Sequence, residues 1–387
     1  MIDRPRQQQT IKRLLTWSPV VAILGARQVG KTTLARAFVE RQSRPTTIFD
    51  LERAQDLARL EDPELALRDL RGIVVLDEIQ RRPELFPTLR VLTDRPRKPA
   101  RFLVLGSASP DLLRQSSESL AGRIAYHELS GLTLDEVGIE NFNRLWLRGG
   151  FPRSYTARSN EASRTWRRDF IRTFLERDVP QFGITIPAGT LERFWAMLAH
   201  YHGQVWNASE FGRSFGVSHH VTHRYLDALQ ATFMVRVLRP WAANIRKRQV
   251  KSPKIYIRDS GLLHSFLQVA SMNDLERHPK LGASWEGFLL EAVIHQLGVS
   301  PEHCYFWGTH TGAELDLLVV HGRRRYGFEF KRTTAPRITP SMHSALEDLQ
   351  LTRLDVVHAG SDTFPLAHHL RAVAAERLLV DLDSLRG

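Results

Sequence analysis

The chain has 387 residues, 42% hydrophobic and 25% charged, with a formal charge of +12. This is ordinary globular composition, long enough for two or three domains at about 150 residues each, and it excludes disordered and collagen-like proteins. No apolar run approaches the roughly 18 to 20 residues of a membrane-spanning helix, and the opening MIDRPRQQQT lacks a signal peptide's apolar core. The single Cys304 cannot form an intrachain disulfide or a Cys-x-x-Cys zinc site. A soluble, cytoplasmic protein with no membrane partner is expected.

The charge is uneven. Residues 1–130 carry 22 basic against 16 acidic side chains and residues 131–260 carry 20 against 11, whereas residues 261–387 carry 12 against 15. Between Val205 and Arg258 the excess reaches +8. Such a stretch suits a polyanion such as nucleic acid. The competing explanation is a composition that favours arginine, since 46 of the 54 basic residues are Arg.

Val20–Leu24 is an apolar, β-branched run that leads into Gly25, Ala26, Arg27, Gln28, Val29, Gly30, Lys31, Thr32 and Thr33, and then a helical pattern. This is a complete G-x-x-x-x-G-K-T between strand and helix. Its glycines let backbone N–H groups face phosphate oxygens, Lys31 reaches the outer phosphates of ATP, and Thr32 is placed to ligate Mg²⁺.

A second run, Ile73–Leu76, ends in Asp77 and Glu78: one carboxylate for Mg²⁺ and one to polarise the attacking water. A third, Phe102–Leu105, ends in Gly106 and Ser107, where Ser107 is either a γ-phosphate sensor or a turn serine. Further strands at Thr46–Phe49 and Ile124–Leu129, and helices at Pro63–Leu70 and Pro83–Asp94, complete an alternation that predicts a parallel sheet. Arg123 reads as an arginine finger or an ordinary surface arginine.

From Trp146 to His200 the pattern is helical, with Arg167, Arg168, Arg172 and Arg177 belonging to a lid or to a solvated face. Asn207–Leu229 then reads as a short helix, a turn at Gly216 and a longer helix opening at Ser218. Strands at Phe233–Leu238 and Lys254–Ile257 flank a basic loop and predict a wing. In a winged helix, His219, His220, His223 and Arg224 would face DNA while Arg246, Lys247, Arg248 and Lys251 meet phosphates. The alternative is an inter-domain lid or protein contact.

Towards the carboxyl end, Gly322-Arg323 fits a two-residue hairpin turn. Counting outward pairs residue 316 with 329 and 314 with 331. Glu314, Asp316, Glu329 and Lys331 then share one face, and Leu315, Leu317, Val319, Tyr326, Phe328 and Phe330 the other. Three carboxylates on one face call for a cation, so Mg²⁺ or Mn²⁺ is expected on Asp316 and Glu329, with Lys331 steadying water or phosphate. Glu286, on an upstream helix, is the preferred third carboxylate and Glu291 the alternative. A further helix at Ser341–Leu349 and strands at Leu354–Val357 and Leu378–Val380 follow. A surface hairpin with solvated charges is the competing explanation.

The helical Glu, the Asp and the Glu-x-Lys thirteen residues on resemble the PD-(D/E)XK restriction-type nuclease signature, although no proline precedes the Asp. Together with Gly25–Thr32, Asp77-Glu78 and Gly106-Ser107, they make nearly the whole chain resemble prokaryotic AAA-type ATP-binding proteins that carry a restriction-nuclease-like domain of unknown function. The resemblance implies a multidomain α/β architecture: a P-loop AAA-type ATPase over 1–140, a helical lid and winged helix-turn-helix over 141–268, and a PD-(D/E)XK-like domain over 269–387. It leaves homo-oligomerisation open. The expected function is ATP-dependent action on DNA with metal-dependent phosphodiester cleavage; the alternative is an ATP-controlled DNA-binding or signalling switch that does not cleave.

Overall fold

The computed structural model describes residues 2–96, 100–107, 116, 118–242 and 249–385, which form two compact units. One comprises residues 1–131 with 231–233, the other residues 132–230 with 234–387.

In the first unit, strands β1 (Val20–Gly25), β2 (Thr46–Asp50), β3 (Gly72–Asp77), β4 (Ala100–Ser107) and β5 (Ile124–Glu128) form one sheet. All pairings are parallel and the order is β2-β3-β4-β1-β5. Val20 to Ile23 are buried without a polar alternation, as a parallel strand covered on both faces requires. Ala22 and Leu24 share a core with Val74, Leu76, Phe102, Val104 and with Phe86 and Leu89 of the helix Leu85–Thr93. The carboxyl ends of β1, β3 and β4 therefore lie side by side, the place where open parallel sheets bind ligands.

The second unit contains a nine-stranded sheet. Its strands are β6 (Gln204–Val205), β7 (Val235–Pro240), β8 (Lys254–Ile257), β9 (Cys304–Gly308), β10 (Glu314–His321), β11 (Arg324–Lys331), β12 (Arg353–His358), β13 (Phe364–Ala367) and β14 (Leu370–Ala374). The order is β13-β14-β12-β11-β10-β9-β7-β8-β6. The strands expected to make a free wing are instead part of this sheet: β7 pairs antiparallel with β8 and parallel with β9 through Arg239↔Tyr305 and Pro240↔Phe306. A continuous sheet thus runs through the boundary expected at residue 268.

The β10–β11 hairpin has the counted register, from His321↔Arg324 to Leu317↔Phe328, with Gly322 at φ +59°. Strict alternation fails at its other edge. The β9–β10 register shifts between Leu315 and Leu318, and Leu315 packs with Leu318 and Val320 rather than with Leu317 and Val319. A bulge inserts the extra residue that moves one side chain to the opposite face. The strand expected at Leu378–Val380 is a short helix, Leu378–Asp381, in which Leu378 is buried, Val380 is exposed and Arg377 pairs with Asp381 one turn on. Three apolar residues carry too little periodicity to separate the two outcomes.

The arginine-rich segment resolves by burial. Arg167, on the helix Asn160–Thr173, is 1% exposed and donates to the carbonyls of Leu147 at 3.1 Å and Gly261 at 2.7 Å, whereas the Arg168 and Arg172 side chains are exposed. Arg167 is therefore a packing residue that ties three segments together.

Two buried histidines set an acid limit on this unit. Trp146 Nε1–H donates to Ser284 Oγ at 3.0 Å, Ser284 lies 2.8 Å from His264 Nε2, and His264 Nδ1 lies 3.0 Å from the Leu147 carbonyl. A carbonyl can only accept, so Nδ1 carries the proton and Nε2 accepts from Ser284. His202 Nδ1 accepts from the Ile257 N–H at 2.9 Å. Burial pulls both imidazoles down from 6.5, to about 3 for His202 and about 4 for His264. The unfolded chain takes up both protons below pH about 6.5 and the folded unit does not, so stability is lost as pH falls from 6.5. Urea unfolding followed by tryptophan fluorescence is expected to show a loss on the order of 4 kcal/mol between pH 7 and pH 5. A flat profile would mean that these imidazoles accept protons in the folded state.

Candidate functional site

At the end of β1 the chain bends through Gln28 at φ +65° and Gly30 at φ +95°, and enters the helix Lys31–Glu40. Gly25 is required there: a Cβ would lie 2.2 Å from the Leu129 carbonyl oxygen. Lys31 folds back and donates from Nζ to the carbonyls of Gly25 at 3.0 Å and Ala26 at 2.9 Å. Burial pulls its ammonium down to about 8, against the pull of Glu78 and Asp77.

The Asp77 carboxylate, at the tip of β3, is raised by burial, while a hydrogen bond from the Thr32 hydroxyl works the other way. It also accepts the Glu78 N–H at 2.9 Å. Glu78 adopts a left-handed backbone, φ +57°, and its carboxylate accepts from the Gln80 amide. Ser107 lies across from Gly25 in the sheet, and its buried hydroxyl has no hydrogen-bond partner among the described residues. An unpaired buried hydroxyl costs about 1–3 kcal/mol unless a ligand or water meets it. A folded-back loop with an ammonium, a Thr–Asp pair and an orphaned hydroxyl fits a nucleotide with Mg²⁺. Thr32 and Asp77 would hold the metal, which would neutralise charge on the outer phosphates.

Two arginines complete this region. Arg123 donates to Asp94 from Nε at 2.6 Å and Nη2 at 2.9 Å, which gives it the role of an ordinary surface ion pair. Arg4, which nothing in the local sequence marked, is 6% exposed and donates to the carbonyls of Val29 at 3.2 Å and Gly131 at 3.0 Å, bracing the loop from behind.

In the second unit the helix Leu281–Leu297 brings Glu286 to the β10–β11 hairpin. Tyr256 O–H donates to Glu286 at 2.6 Å. Phe330 N–H donates to Asp316 at 3.0 Å, and Lys331 Nζ lies 2.7 Å from Glu329 and 3.8 Å from Asp316. Glu286, Asp316, Glu329 and Lys331 are thus in one cluster. Glu291 points elsewhere, to Arg236 at 2.8 Å and Arg258 at 3.5 Å.

The centre of the cluster holds a residue from the strand Lys254–Ile257, one of the two expected to form the wing. Lys254 Nζ, on a side chain 4% exposed, is 3.4 Å from Glu286, 3.5 Å from Asp316, and paired with Glu314. Burial lowers its pKa, but Tyr256, Glu286 and Asp316 outweigh this and hold it charged. Burial and the neighbouring Asp316 push Glu286 up to about 7 and Glu329 well above the carboxylate range. For Asp316 burial acts upward, and Lys254 and Lys331 more than reverse it. A hydrogen bond between Glu329 and Asp316 joins the two carboxyl groups.

A different cation stands where the metal was expected. The cation that three carboxylates demanded is an ammonium already in place, and among the described residues no group of three or more His, Cys, Asp and Glu side chains is disposed to hold a metal ion. In this arrangement the residues do not fit Mg²⁺ or Mn²⁺.

The third region is the helix pair Ala208–Phe215 and His219–Ala231, joined through Gly216 in the left-handed conformation. Thr222, Leu226 and Leu229 face inward, while His219, His220, His223 and Arg224 are exposed on the second helix. Lys251 is also exposed. Arg246, Lys247 and Arg248 lie outside the described residues.

The parallel sheet and its folded-back loop define the first unit as a P-loop NTPase of AAA type, and an AAA domain model matches residues 18–138. Two domains of unknown function follow, DUF8612 over 139–273 and DUF4143 over 281–378. Uncharacterized proteins of Mycobacterium bovis and Mycobacterium tuberculosis are each 54% identical to the chain over 379 residues, 98% of this chain and 85% of each relative. The chain belongs to the family of these AAA-domain proteins. Similar solved structures include the Walker-type ATPase PABY2304 of Pyrococcus abyssi, at 17% identity over 69% of this chain and 96% of that one with a TM-score of 0.45. A mutant form of Thermotoga maritima RuvB has 15% identity over 61% and 90%, with a TM-score of 0.31.

Proposed function

We propose that the protein binds and hydrolyses ATP at Gly25–Thr33, with Asp77, Glu78 and Ser107, and that this cycle controls how the helix pair 208–231 engages DNA. The observation that carries the reading is the gathering, at the carboxyl end of a parallel sheet, of Lys31, Thr32–Asp77 and a Ser107 hydroxyl with no partner among the described residues. Glu78 takes the role of orienting and polarising the attacking water, and Lys31 that of meeting developing charge on the outer phosphates. His220, His223, Arg224 and Lys251, with Arg246, Lys247 and Arg248, are the proposed DNA contacts. The proposed parts are the ATPase over 1–140, the helical and winged region over 141–268 and the nuclease-like fold over 269–387.

The convergence of Glu286, Asp316, Glu329 and Lys331 favours a second reading, metal-dependent phosphodiester cleavage. Lys254 among these carboxylates weighs against it, and the switch without cleavage is the stronger of the two.

The test is binding of labelled duplex and single-stranded DNA with ATP, ADP or no nucleotide. Wild type is expected to change affinity between ATP and ADP. Arg224→Ala with Lys251→Ala is expected to weaken binding and to reduce the slope of log affinity against log salt by about 1.4–1.8 in total. Affinity unaffected by nucleotide, or by both substitutions, would overturn the DNA-switch reading.

A further inference from the structure

We propose that Lys254 is the resident cation of the carboxyl-terminal carboxylate cluster, that it excludes Mg²⁺ and Mn²⁺ from it, and that removing its charge converts the cluster into a divalent-metal site. Three observations carry this. The ammonium has three N–H donors and meets three carboxylates, those of Glu286, Glu314 and Asp316. Its backbone is pinned on both sides in the sheet, Lys254 pairing with Val205 in β6 and with Leu238 in β7. Its side chain is buried beside the Phe306 ring, with Nζ 5.8 Å from the ring centroid.

A divalent metal shared by Glu286 and Asp316 needs oxygen ligands at about 2.0–2.4 Å around the point where this ammonium now lies. The two cations repel each other and compete for the same oxygens. Withdrawing Lys254 would strand a buried ammonium away from its carboxylates, which is strongly unfavourable for a buried ion pair. Lys331 holds the Glu329 side of the cluster in the same manner, so a positive charge is present on each flank of Asp316. This inference concerns the second unit alone and does not depend on ATP hydrolysis by the first.

The test is Mn²⁺ titration of the nucleotide-free full chain, read from the electron paramagnetic resonance signal of free Mn²⁺, with Asp77→Asn present throughout to silence the nucleotide site. The protein with Lys254 intact is expected to take up no Mn²⁺ up to 1 mM, an order-of-magnitude bound set by the tight hydration of such ions. Lys254→Met, which keeps the apolar stem, is expected to bind one Mn²⁺ at least tenfold more tightly than that bound, and adding Asp316→Asn is expected to abolish it. Lys254→Gln serves as a second variant and is expected to behave alike. Uptake of one Mn²⁺ by the Lys254 protein, lost in Asp316→Asn, would overturn exclusion. That measurement decides even if both Lys254 variants fail to fold. Absence of uptake by either folded variant would overturn the conversion.

Discussion

Lys31→Ala is expected to abolish ATP hydrolysis, lowering kcat/KM by about 10³-fold or more. The loss has two parts. Lys31 is buried and charged, and its Nζ holds the Gly25 and Ala26 carbonyls that give the loop its folded-back shape. Alanine removes both the charge that meets phosphate and the strap that shapes the loop, so nucleotide affinity falls with turnover. Glu78→Gln separates the two effects. It keeps the size and the hydrogen-bonding partner Gln80 but removes the negative charge proposed to polarise water, so kcat is expected to fall by about 10²–10³-fold while ATP binding persists. Equal losses of binding in both variants would remove Glu78 from the role proposed for it. Hydrolysis is read by phosphate release and binding by fluorescent-nucleotide titration.

The second large effect concerns stability. Glu291→Ala is expected to destabilise the carboxyl-terminal unit by about 3–5 kcal/mol. Burial acts to raise the Glu291 pKa, yet Arg236 and Arg258 overcome it and hold the carboxyl at about 2. The carboxylate receives Arg236 at 2.8 Å and Arg258 at 3.5 Å, and the variant leaves two guanidiniums without it. Replacing the pair together, Arg236→Met with Glu291→Leu, is expected to cost less, because of the two guanidiniums only Arg258, at 3.5 Å, then loses the carboxylate. Urea unfolding read by tryptophan fluorescence suits this test, since seven of the eight tryptophans, all but Trp17, belong to the second unit. A single-variant loss below 1 kcal/mol would show that water reaches the pair.

These two sites show how far local sequence reaches. The nucleotide loop was legible because strand, glycine-bearing turn, lysine and helix are consecutive in the chain. Their geometry follows from backbone rules that act over about ten residues. The β10–β11 pairing was legible for a similar reason: one turn at Gly322-Arg323 sets a register that places residues by counting. The exception at Leu315 arises where β10 meets β9, a strand outside the hairpin: Asp316 and Leu317 stand against Phe306 alone, and no count within the hairpin contains that bulge.

The choice between Glu286 and Glu291 illustrates the next level. Five positions along a helix are about 140° apart around its axis, so the two carboxylates cannot serve the same cluster. Which one faces the hairpin depends on how the helix is rotated, and that is decided by packing. Trp285 stacks edge-on against Trp146 at 5.2 Å, and Ser284 is held by Trp146 and His264, which turns Glu286 towards Asp316 and Glu291 towards Arg236.

The sequence by itself determined the nucleotide loop, the order of strand and helix around it, the hairpin register from His321↔Arg324 to Leu317↔Phe328, and the exposed histidines and arginine of the second helix in the 208–231 pair. Only the tertiary structure decided what neutralises the carboxylates. Lys254 stands 62 residues before Asp316 and in a segment whose neighbours look like a basic wing. It arrives because β7 joins β9, which carries β8 and its lysine into the same sheet as the hairpin. A charge balance between distant residues depends on strand order across a whole sheet, and no local pattern records it.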